Sequence, residues 1–119
     1  MPDPGLFILY VDSAPASAAF YGALLGREPV ESSPAFAMFA LDSGARLGLW
    51  SRATVEPEAA LTGGGGELCF AVPDVDAVHA DWVARGLPVL QPPTEMEFGR
   101  TFTAQDPDGH RLRVYRPGA

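Results

Sequence analysis

The chain has 119 residues, 47% hydrophobic and 19% charged, enough to bury a core and unlike a disordered segment. Its net charge of −7 and pI near 4.6 rest on only 8 basic residues, which excludes the clustered Lys/Arg that phosphate backbones need and mildly steers cationic ligands. The one cysteine, Cys69, leaves no internal disulfide, and the apolar run Gly5–Val11 is too short for a bilayer and follows no basic leader. The expectation is a cytoplasmic protein with no membrane or nucleic-acid partner.

In chain order, Leu6–Val11 reads as a buried strand. A helix follows, with Ser13 as N-cap, Pro15 in the first turn and Gly26 at its end. Ala16, Ala19, Phe20, Ala23 and Leu24 fall at helical spacing and predict its apolar face. Three short strands fit around Pro29–Glu31, Phe36–Leu41 and Ala45–Trp50, the last two joined by Asp42-Ser43-Gly44. A polar, flexible linker with four consecutive glycines, Ser51–Gly66, closes this half.

The second half repeats the order. Leu68–Val72 is a strand, and Asp74 caps a helix with Val75, Val78, Trp82 and Val83 on its apolar face and Gly86 at its end. A short strand near Val89–Gln91 precedes a hairpin of Thr101–Ala104 and Arg111–Tyr115, folded across Asp106-Pro107-Asp108-Gly109-His110. The predicted class is α+β: two tandem βαβββ modules, at about 5–51 and 67–117 with a linker at about 52–66, in a single domain over 1–119. Each module has one helix-covered face, and two such curved mixed sheets closing on each other enclose a cavity.

Val11-Asp12, Phe20-Tyr21 with Leu24-Leu25-Gly26, Val72-Pro73-Asp74-Val75 and Asp106-Pro107-Asp108-Gly109 together resemble the vicinal oxygen chelate superfamily. That superfamily takes in glyoxalases, dioxygenases and bleomycin-resistance proteins. Leu49-Trp50-Ser51 and Phe98-Gly99-Arg100-Thr101-Phe102 with the hairpin turn are further similar to its phenazine-antibiotic resistance proteins. The resemblance puts Leu6, Gly48, Glu67 and Arg113 at the four positions where the superfamily's enzymes hold a metal. Leucine and glycine offer no ligand, arginine is a fixed cation, and one carboxylate does not hold a catalytic metal. The expectation is no metal, no cofactor, no catalytic residue, and a pairing of Arg113 with Glu67 across the sheets instead.

Strand alternation puts Arg46, Gly48 and Trp50 on one face and Leu47 and Leu49 on the other. Gly48 then opens space beside the Trp50 indole for a flat ring, the alternative being an ordinary core or interface tryptophan. Phe36 and Met38 wall the pocket or pack the core, with Phe39 on the opposite face. Phe98, Gly99 and Arg100 sit where a loop enters the penultimate strand: Gly99 permits close backbone approach, and Arg100 tethers a carboxylate at the cavity mouth with Ser51 as a second polar group, or is a solvated edge cation. His79 reads as a helix-boundary residue, His110 as structural or exposed, Cys69 as a small buried hydrophobe and Trp82 as core. The reading is non-catalytic sequestration of a planar aromatic antibiotic, phenazine-like, conferring resistance, by a homodimer that the resemblance implies. The alternatives are a glyoxalase- or dioxygenase-type enzyme and a bleomycin-type binder.

Overall fold

In the computed structural model, residues 1–118 are described. The first unit, through Gly63, holds β1 (Leu6–Val11), α1 (Ala14–Leu25), β2 (Glu31–Ser32), β3 (Phe36–Ala40), β4 (Arg46–Ser51) and a 3-10 turn at Arg52–Thr54. The second, from Gly64, holds β5 (Glu67–Ala71), α2 (Val75–Ala84), β6 (Val89–Met96), β7 (Gly99–Gln105) and β8 (Arg111–Pro117). Each is a βαβββ module with a four-stranded mixed sheet, in the order β1-β4-β3-β2 and β5-β8-β7-β6. The first and last strands of each module pair in parallel and the other pairs are antiparallel. The α+β class and the repeated module are those the sequence predicts.

Local chemistry sets the helix ends. The Ser13 hydroxyl accepts the Ala16 N–H at 3.2 Å, and Gly26 at φ 66° ends α1 in the left-handed region. The buried stripe of α1 is Ala14, Ser17 and Tyr21 rather than the predicted one, and Ala16, Ala19 and Ala23 are exposed. The helix is apolar nearly all round, so periodicity selects no face. The side with the Tyr21 ring buries most area against β3 and β4.

β1 also differs from expectation. It pairs with β4 alone and is an edge strand, so Leu6, Phe7 and Ile8 remain 45%, 50% and 38% exposed and only Val11 is buried. The segment after β4 is less free than its glycines suggest: Val55 is buried and the Arg52 guanidinium donates to the Ala59 carbonyl at 3.1 Å.

In the second unit the Asp74 carboxylate accepts the Ala77 N–H at 3.0 Å, and the Gly86 and Leu87 N–H groups return to Val83 and Trp82 carbonyls to close α2. Trp82 is core, meeting Phe70 and Phe102 edge-on at centroid distances of 5.9 and 5.4 Å, and His79 adds a ring contact to Phe102 at 5.2 Å. Val83, one position past Trp82, is turned out to solvent. Cys69 is exposed, not buried, because alternation gives the helix side of β5 to Leu68 and Phe70. β6 runs on to Met96 through two register irregularities around Pro92-Pro93, prolines that an edge strand tolerates. In the β7–β8 turn, one Asp106 carboxylate oxygen accepts the Asp108 and His110 N–H groups at 2.9 and 2.8 Å, and His110 is buried.

Candidate functional site

Each sheet has one face against its helix and one face away from it. On β4 the helix side carries Leu47, Leu49 and Ser51, all buried, and the Ser51 hydroxyl accepts the Ala14 N–H at 3.1 Å. Ser51 is therefore an anchor for the start of α1 and turns away from the Trp50 face. Arg46, Gly48 and Trp50 occupy that other face. Register brings Tyr10 of β1 and Phe36 of β3 to either side of Trp50. Their rings meet the indole edge-on at 6.5 and 6.4 Å, with interplanar angles of 75° and 87°. Three aromatic rings thus run in a row across the sheet, with Trp50 half-buried at the centre.

Gly48 lies beneath this row. A Cβ there would stand 3.0 Å from the Phe36 ring and 3.2 Å from the Ile8 side chain. The missing side chain does not leave a vacancy beside the indole. It lets the Phe36 ring lie down over β4, where any larger residue would lift it. Met38 is register-paired with Gly48 and half-buried on the same face. Trp50, Gly48, Phe36 and Met38 are thereby brought together in one unit.

The equivalent face of the second sheet is polar. The Arg113 guanidinium donates to both Glu67 carboxylate oxygens, at 2.7 and 2.9 Å. Its remaining nitrogen donates to the Gln91 carbonyl oxygen at 3.3 Å and the Thr101 hydroxyl at 3.2 Å. The bidentate pair lies within one sheet, β5 to β8, rather than across two as expected, and it is partly exposed. Arg113 holds the Glu67 carboxyl below its usual range by this hydrogen bond, and Glu67 in turn raises Arg113. Burial, then the charge of Glu67, pushes the neighbouring Cys69 thiol up. Phe98, at the β6–β7 tip, lies 5.9 Å from the Arg113 guanidinium and meets Tyr115 edge-on at 6.2 Å.

Gly99 is required by backbone geometry. At φ 138° a Cβ would overlap the Arg116 carbonyl oxygen. Arg100 is on the helix side of β7. Its guanidinium donates to both Asp76 oxygens on α2 at 2.8 Å and to Glu95 at 3.2 Å. Asp76 is held below and Arg100 above their usual ranges by that pair. The register parity that puts Thr101 and Thr103 with Arg113 puts Arg100 on the opposite face. Strand parity was the signal in the sequence for this, and also for Tyr10, Gln91 and Thr101, which sequence reasoning did not single out.

A metal does not fit the four positions that the family resemblance marks. Leu6 and Gly48 carry no donor, and both Glu67 oxygens are engaged by Arg113, a cation. Among the described residues no three His, Cys, Asp or Glu side chains group as metal ligands.

Against this geometry, residues 5–114 match the Glyoxalase/Bleomycin resistance protein/Dioxygenase superfamily. The phenazine antibiotic resistance protein EhpR of Enterobacter agglomerans is 32% identical over 93% of this chain and 89% of its own length. A protein of Agrobacterium tumefaciens, solved by solution NMR, is 59% identical with full coverage of both chains and a TM-score of 0.92. A glyoxalase-related enzyme from Fulvimarina pelagi is 25% identical, covering 98% of this chain and 88% of that one, with a TM-score of 0.82.

Proposed function

This chain belongs to the Glyoxalase/Bleomycin resistance protein/Dioxygenase superfamily, and from that premise we propose that it sequesters a planar aromatic antibiotic, phenazine-like, without transforming it. The observation that carries the reading is the row of Tyr10, Trp50 and Phe36 on the helix-free face of the first sheet. Aromatic side chains at a partly open surface are a platform on which a flat ring system buries area. The likeness to a phenazine resistance protein supports the ring class. Met38 and Gly48 belong to the platform as wall and floor, and Phe98 is a proposed ligand contact of the second unit by itself. Ser51 and Arg100 are left out of it, since each is engaged on the helix side. The reading includes a homodimer, because β1 ends the first sheet with apolar side chains exposed.

Stacking contributes about 0.5–1.5 kcal/mol beyond area burial, which after association entropy gives an affinity of roughly micromolar order. Titration with a phenazine should quench tryptophan fluorescence. Trp50→Ala should weaken binding, followed calorimetrically, by about tenfold or more with the fold retained, and Trp82→Phe should leave affinity unchanged. Full binding by the Trp50→Ala protein would exclude the platform as the site.

A further inference from the structure

We propose that Arg46 is the anion tether of that aromatic platform, so that the preferred ligand is a planar aromatic acid rather than a neutral ring system. The inference rests on the proposed function and narrows its ligand class. Arg46 opens β4 and shares its face with Gly48 and Trp50 by strand parity. It stands four residues from Trp50, a distance of about 13 Å along an extended strand, which a long guanidinium side chain and a fused-ring acid span together.

Four arginines make no ion pair among the described residues, Arg46, Arg52, Arg111 and Arg116, and of these Arg46 alone shares the face of Trp50 on the first sheet. Arg27 pairs with Asp42, Arg85 with Asp81, Arg100 with Asp76 and Glu95, and Arg113 with Glu67. The Arg46 guanidinium makes no ion pair and no hydrogen bond among the described residues. The internal repeat sharpens the contrast, because Arg111 opens β8 as Arg46 opens β4. Arg111 is register-paired with Glu67, whereas the corresponding partner of Arg46 is Leu6, with Ala40 on its other side. The second module thus has a carboxylate at the register position beside its arginine, one whose oxygens Arg113 takes, and the first has a leucine there. An exposed cation beside apolar neighbours, on the same strand and face as the central ring of an aromatic row, matches a carboxylate carried on a flat ring system. The arginine expected from the sequence to do this, Arg100, is occupied on the other side of its sheet.

The test compares phenazine-1-carboxylate with phenazine-1-carboxamide on the full chain, by calorimetry at low and high salt. The parent protein should favour the acid by about tenfold at low salt, with the preference shrinking as salt rises. Arg46→Gln should bind both probes at the carboxamide's affinity, and Arg100→Gln should keep the preference. Equal binding of the two probes by the parent, or a preference that survives Arg46→Gln, overturns the tether while leaving the aromatic platform standing. Failure of the parent to bind either probe overturns the platform and the tether together.

Discussion

The guanidinium of Arg113 organises the polar face of the second sheet. Its contacts to Glu67, Gln91 and Thr101 fix where each of those side chains points. Because the hydrogen bond to Arg113 depresses the Glu67 pKa, its stabilisation is full above the ordinary glutamate range and is lost as pH falls through the depressed value. Glu67→Gln should be less stable than the parent by about 1 kcal/mol near neutrality, a modest figure because the pair is partly solvated. Urea denaturation from about pH 7 to about pH 3 should show that difference closing on the acid side. A difference independent of pH would mean that the amide costs stability by packing and not by charge. At Gly48 the deciding quantity is space. The Phe36 ring occupies the volume a side chain would need, so the identity of one residue sets the height of an aromatic neighbour.

At the scale of elements, the two helices are started by the same device with different residues. Ser13 and Asp74 each accept the N–H three positions on. Ser13→Ala and Asp74→Ala should each cost about 1 kcal/mol, and the two losses should add because the caps share no partner. Asp74→Asn should retain most of the cap, losing only the carboxylate's interaction with the helix dipole. Thermal or urea unfolding measures all four proteins, and a double variant far less stable than the sum would show that the caps are coupled. The edge strands behave differently from the caps. β1 and β5 each end a sheet, and the exposed Leu6, Phe7 and Ile8, on alternating faces of β1, leave an apolar edge that another strand or surface can cover.

For the whole molecule, that exposed edge is the physical reason for the proposed homodimer. Light scattering at micromolar concentration should give a mass of twice 12.6 kDa. Phe7→Lys, which places a charge on the edge, should shift the mass toward one chain with circular dichroism unchanged. A monomeric parent protein would refute the dimer, and the exposed β1 side chains would then be an open apolar surface of the single chain. Among the described residues no helix is long and apolar enough to cross a membrane.

Local chemistry made much of the fold legible in the sequence. The caps Ser13 and Asp74, the Gly26 helix end, the Asp106–His110 turn and the repeated βαβββ order all depend on residues a few positions apart. Strand alternation by itself also puts Arg46, Gly48 and Trp50 on a common face. Tertiary structure alone decided what depends on distant neighbours. It chose the Tyr21 side of an α1 that is apolar nearly all round and exposed β1 by giving it one partner. It likewise gave Arg100 to Asp76, 24 residues away, and Arg113 to Glu67, 46 residues away, while leaving Arg46 without a carboxylate. A side chain's partner across a sheet or from sheet to helix is set by register and packing direction, and neither is written in the spacing of residues along one strand.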